Sequence, residues 1–142
     1  MAVYVGIDLG TTNSAICTYD GEQLRIWKSP EQNDVTPSVI YNDGRRRYVG
    51  KRAYDMAPAA PESTARLFKR LMGTSTPIHV KGSDTPITQE ECSAEVLRTL
   101  FGYLPEEVRQ NVVGTVITVP AAFNQMQKDA TLQAAELAGI GA

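Results

Sequence analysis

The stretch Val3-Tyr4-Val5-Gly6-Ile7-Asp8-Leu9-Gly10-Thr11-Thr12-Asn13-Ser14 decides how the rest of the chain is read. Val3 to Ile7 is apolar and partly β-branched, of strand type, and it runs into a carboxylate, a glycine and two threonines. A short buried strand therefore delivers Asp8 to a tight polar turn. Ser14 to Tyr19 reads as the return strand, so the threonines sit at a hairpin tip. Several backbone N–H groups there are free to point at one ligand, a concavity suited to phosphate. Asp8 has the wrong sign to touch phosphate itself, and a hydrated hard cation such as Mg2+ between the two reconciles them. The same residues also read as an ordinary β-turn shaped by Asp8 and Gly10; spacing alone leaves both readings open.

Outward from this hairpin, Asp20-Gly21 is a two-residue turn and Gln23 to Trp27 alternates polar and apolar, predicting a third antiparallel strand and hence a meander. After a polar loop, Thr36 to Tyr41 is extended, with Thr36 kept out of helical geometry by Pro37. Asn42-Asp43-Gly44 turns the chain back into Arg47 to Gly50. Lys51 to Ala57 makes two helical turns ended by Pro58 and Pro61, and Ser63 to Gly73 predicts a helix closed by its terminal glycine. A Ser/Thr/Gly/Pro-rich region follows around a short Ile78-His79-Val80 strand. Thr88 and Glu91 have the spacing of a capping box. The helix they open repeats Cys92, Val96, Leu97, Leu100, Phe101 and Leu104 at helical spacing, a stripe more simply explained as core than as a partner groove.

Pro105 to Arg109 starts a short helix with its acids in the first turn. The β-branched run Val112 to Val119 suits a strand buried on both faces, and the helical crossover before it makes it parallel to the first strand. Asn124 caps a last helix running to Ala138, with Gly139 as its stop.

The 142 residues fit one domain or a piece of a larger one. With 42% hydrophobic and 21% charged residues the composition is globular, and a net charge of −2 leaves no electrostatic footprint for nucleic acid or an anionic membrane. Arg45, Arg46 and Arg47, the one basic run, read as a solvated hairpin tip. Cys17 and Cys92 have no metal-ligand spacing and the single His79 has no partner for a zinc site. Both cysteines are expected reduced, with Cys17 in the core. No apolar segment reaches spanning length and no leader opens the chain, so a cytoplasmic protein is the default.

Gly6 to Ser14 resembles the first phosphate loop of the superfamily that unites actin, sugar kinases and the DnaK-type, or heat-shock protein 70, chaperones. Thr36-Pro37-Ser38 with Val49-Gly50 and Ala53, the segment Lys69-Arg70-Leu71-Met72-Gly73, and the corner Val119-Pro120-Ala121-Ala122-Phe123-Asn124 resemble the chaperone branch. The resemblance implies an α/β, actin-like ATPase fold of the ribonuclease H-like type, of which this chain is most of lobe I. Its sheet is mixed, with the antiparallel N-terminal meander and one parallel strand added by helical crossover. Residues 1–35 and 112–142 are expected to form the core subdomain and 36–111 an inserted smaller one.

By the same resemblance the cofactors are ATP/ADP and Mg2+. Gly10, Thr11, Thr12 and Asn13 contact the phosphates, Asp8 holds the metal through water, and Lys69 stabilises charge on the transferred group. Pro120 and Lys128 belong to interdomain signalling. Lys128 stands where the family commonly has arginine, which keeps the charge and loses the planar fork. The implied partners are unfolded polypeptide clients, a J-domain co-chaperone and a nucleotide exchange factor. The alternatives are a non-hydrolysing nucleotide-sensing or structural protein and a sugar kinase. The second phosphate loop and the adenosine pocket lie outside this sequence, so the chain by itself is expected to be inactive. It is also expected to self-associate through the sheet edge that a further strand would have covered.

Overall fold

A computed structural model describes residues 2–10, 12–66, 88–119 and 123–140. In chain order the strands are β1 (Val3–Leu9), β2 (Asn13–Tyr19), β3 (Leu24–Ile26), β4 (Thr36–Pro37), β5 (Val39–Asn42), β6 (Arg47–Val49), β7 (Thr64–Arg66) and β8 (Val112–Thr118). The helices are α1 (Lys51–Met56), α2 (Gln89–Phe101), α3 (Glu106–Arg109) and α4 (Gln125–Leu137).

The larger sheet has the order β3-β2-β1-β8, with β4 pairing the start of β2. The β1–β2–β3 meander is antiparallel and β8 joins β1 in parallel, as the crossover reading expects. Alternation along β1 sends Val3, Val5, Ile7 and Leu9 to the core and leaves Tyr4 and Asp8 exposed. One bulge interrupts the parallel pair: Val3 opposes Val112 and Tyr4 opposes Gly114, so Val113 is the extra residue. Below this sheet α2 and α4 pack on each other, and Cys92, Val96, Leu97, Leu100, Leu104, Ala134 and Ala135 join the strand residues in one core. Arg98 ties the helices by donating to the Leu137 carbonyl at 2.9 Å.

The helix ends follow local chemistry. Thr88 accepts the Glu91 amide at 3.1 Å to cap α2. The reciprocal box forms at α4, where Asn124 accepts the Gln127 amide at 2.8 Å and the Gln127 side chain accepts the Asn124 amide at 2.9 Å. Gly139, at φ 76°, ends α4 as expected.

The smaller sheet has the order β6-β5-β7. Its β5–β6 turn is held by Asp43, whose carboxylate accepts the Arg46 and Arg45 amides and the Tyr41 hydroxyl, each at 2.8 Å. These donors hold that carboxyl at about 2, below the usual range. Tyr48 stacks on Tyr41, and the Arg52 guanidinium lies 4.9 Å from the Tyr48 ring centre.

Three expectations are corrected. Ser63 to Arg66 is not the start of a helix. Pro61–Ser63 is a short 3-10 turn and Thr64–Arg66 pairs antiparallel with β5, because the open edge of β5 takes an extended segment and buries Ala65 there. The residues from Leu67 to Ile87, including the expected helix to Gly73 and the Ile78-His79-Val80 strand, lie outside the described residues. Next, β8 is not buried on both faces: Val113 and Val116 are 59% and 65% exposed, since α2 and α4 share one side of the sheet. Finally, Cys17 is only half-buried because its register opposite Gly6 turns it to the outer face, and Cys92 is the core cysteine.

Candidate functional site: a glycine turn at the carboxyl ends of two parallel strands

β1 and β8 end side by side, and ligands of open α/β sheets gather at such carboxyl ends. Asp8 lies one residue before the end of β1, exposed, directly opposite Thr118 in the parallel register. The Thr118 hydroxyl donates to Asp8 Oδ1 at 2.9 Å. That bond fixes one carboxylate oxygen and leaves the group's remaining acceptor capacity open to solvent.

Gly10 opens the turn into β2. A Cβ at this position would run into the backbone carbonyl of Asn13, so the turn closes this tightly only with glycine. Thr12 and Asn13 are both exposed on the turn. Behind it the chain crosses back as β4, pairing Pro37 with Asn13 and Thr36 with Ser14. Ser38 then bonds to the turn twice: its amide donates to the Thr12 carbonyl at 2.9 Å and its hydroxyl to the Gly10 carbonyl at 2.6 Å. The Ser14 and Ser38 hydroxyls meet at 2.8 Å, both side chains being buried. Farther back, the Tyr103 hydroxyl and Thr36 Oγ1 are 2.9 Å apart, which anchors β4 to the end of α2. Burial pushes the Tyr103 phenol up from its ordinary value.

The hairpin thus brings Asp8, Gly10, Thr12 and Asn13 together. Thr11, Lys69 and Pro120 lie outside the described residues. Lys128 is exposed in α4, and its described hydrogen bond is the helical one from its amide to the Asn124 carbonyl. The sequence reading missed Thr118 as the partner of Asp8, and it took Ser38 only as part of a motif; the strand register and the β4 crossing give both their place. Among the described residues no three His, Cys, Asp or Glu side chains cluster as a metal cage. A single exposed carboxylate beside a glycine turn fits a hydrated Mg2+, which takes one or two carboxylates and completes its shell with water and other oxygen ligands.

A mixed sheet of this order, with a carboxylate and a glycine turn at the ends of its central strands, is an α/β domain of the actin-like ATPase fold. The family model described as "Hsp70 protein" matches residues 4–142, and the chain belongs to the Hsp70 family. It is 38% identical over 162 residues to the "Chaperone protein DnaK" of Deinococcus proteolyticus, covering 99% of this chain and 25% of that protein. It is also 38% identical over 138 residues to the "Chaperone protein DnaK" of Mycoplasmoides gallisepticum, covering 96% and 23%. The chain spans about a quarter of the length of these curated relatives. The first alignment is longer than the chain itself, so the Deinococcus protein carries residues with no counterpart here.

Proposed function

We propose that this chain is the N-terminal part, within lobe I, of the ATP-binding and ATP-hydrolysing domain of a DnaK-type chaperone that assists protein folding in the cytosol. The observation that carries the reading is the Asp8 carboxylate, held by Thr118 beside a turn that admits only glycine at position 10. In this proposal Gly10, Thr11, Thr12 and Asn13 bind the phosphates of ATP or ADP. Asp8 orients Mg2+ through water, and the metal neutralises phosphate charge. Lys69 places an ammonium where negative charge develops as water attacks the terminal phosphate. Pro120 and Lys128 pass nucleotide state to a polypeptide-binding domain, and a J-domain co-chaperone and an exchange factor act on the complete protein. Residues 1–35 and 112–142 make the ribonuclease H-like part and 36–111 the insertion, within which β5, β6, β7 and α1 fall.

Catalysis by positioning needs both walls of a cleft, so the 142-residue chain alone is proposed to be inactive. The β8 edge, unpaired among the described residues, is proposed to drive self-association. The test is single-turnover hydrolysis of Mg·ATP by the complete protein, unaltered and as Asp8→Asn and Lys69→Ala. Each substitution is expected to slow the step at least a hundredfold; equal rates in all three would overturn the assignment.

A further inference from the structure

We propose that Ser38 is a positioning residue for the phosphate-binding turn, acting through a directed relay of hydroxyl bonds from Ser14. This inference rests on the reading of that turn as the phosphate site.

The direction of the relay follows from proton counting. A serine hydroxyl has one proton to donate. The Gly10 carbonyl can only accept, so the 2.6 Å bond uses the proton of Ser38. At the 2.8 Å contact between the two hydroxyls, Ser14 must then be the donor. The order is Ser14 to Ser38 to the Gly10 carbonyl, and each bond in such a chain polarises the next. Both serines are 1% exposed, so water has little access to their hydroxyls.

The consequence for the turn is geometric. Ser38 takes the Thr12 carbonyl with its amide and the Gly10 carbonyl with its hydroxyl, which draws two carbonyl oxygens of the turn to its own side. In a planar trans peptide the N–H points opposite to the C=O. The Thr12–Asn13 peptide therefore turns the Asn13 amide away from Ser38. An anion needs donors presented and carbonyl dipoles withdrawn, and one residue does both for this turn. Ser38 touches no ligand in this scheme; it sets the orientation of groups that do.

The experiment compares the complete protein with its Ser38→Ala, Ser38→Thr and Ser14→Ala variants, reading the Kd for Mg·ATP and for adenosine, together with the thermal midpoint. Ser38→Ala is expected to raise the Mg·ATP Kd about tenfold while adenosine binding stays within twofold. Ser38→Thr, which keeps the hydroxyl, restores Mg·ATP binding, and Ser14→Ala gives a smaller loss of about threefold. A general structural defect would weaken both ligands together and would overturn the positioning role, as would an unchanged Mg·ATP Kd in Ser38→Ala. If Ser38→Ala does not fold, Ser14→Ala decides: selective loss of Mg·ATP affinity supports the relay, and none overturns it. Failure of the unaltered protein to bind Mg·ATP at all would instead overturn the phosphate-site reading, and this proposal with it.

Discussion

The hydroxyl of Thr118 donates to Asp8 Oδ1 at 2.9 Å across the parallel β1–β8 pair, joining residues 110 positions apart in sequence. The bond restricts which way the carboxylate faces. Replacing Thr118 by valine keeps shape and strand propensity while removing the donor. We expect Thr118→Val to raise the Mg2+ concentration needed for half-maximal nucleotide binding about three- to tenfold and Thr118→Ser to leave it near the unaltered value. A magnesium titration of the complete protein at fixed ATP checks this, and coincident curves would remove Thr118 from the site.

Gly10→Ala places a methyl against the Asn13 backbone carbonyl, which no side-chain rotation can relieve. The turn must open. The helices α2 and α4 are held by the buried core cluster they share with β1, so the far-ultraviolet dichroism is expected to persist. Mg·ATP binding is expected to fall at least tenfold. Intact affinity in Gly10→Ala would show that the turn does not hold the phosphates.

Much of this architecture is legible from local residues. Asp20-Gly21, Asn124 with Gly139, and the alternation of Val3, Val5 and Ile7 each act within a few positions, so the meander and α4 follow directly from them. What stays hidden depends on distant partners. Thr64-Ala65-Arg66 leads into an apolar and basic stretch that reads as helical, and only the open edge of β5 makes it a strand. Cys17 lies in a strand, but strand parity relative to Gly6 decides its face. The carboxylate and the glycine of the site are visible in sequence. Thr118 and Ser38, which orient them, need the register of β8 and the crossing of β4.

Gly50 precedes α1 at φ 93° and ψ −137°, a conformation open mainly to glycine, and a Cβ there would lie 2.7 Å from the Thr36 methyl. Gly50→Ala therefore combines backbone strain, roughly 1–3 kcal/mol, with a clash against Thr36 behind the Gly10 turn. Chemical denaturation should register a loss larger than the strain alone. Adding Thr36→Ser removes the methyl while keeping a hydroxyl for Tyr103, so the double variant is expected to recover the steric part alone. Full recovery would mean that the backbone strain is negligible.

Cys92 is buried in α2, and desolvation, followed by the carboxylates of Glu91, Glu95 and Glu90, pushes its thiol up to about 12. Unfolded, the same thiol ionises near its ordinary value of about 8.5. The native state then holds a proton that the unfolded state has lost, and stability falls as pH rises from about 9 towards 12. A Cys92→Ser or Cys92→Ala chain should lose this part of the alkaline dependence. At pH 8 a thiol reagent should modify half-buried Cys17 first and reach Cys92 only on unfolding; mass spectrometry of the labelled peptides distinguishes the two, and early labelling of Cys92 would contradict its burial.

Among the described residues β8 pairs only with β1, and its exposed Val116 adds apolar surface beside the unpaired edge. Unpaired strands recruit other chains through their free N–H and C=O groups. A second copy of the 142-residue chain supplies such a strand. Sedimentation of this chain is expected to show a concentration-dependent shift to a larger species. Val116→Lys puts a charge next to the edge, as natural edge strands do, and should move that shift to higher concentration at least fivefold. A single monomer boundary at every concentration would remove the edge as an association surface, whereas a shift that Val116→Lys leaves untouched would place the contact elsewhere.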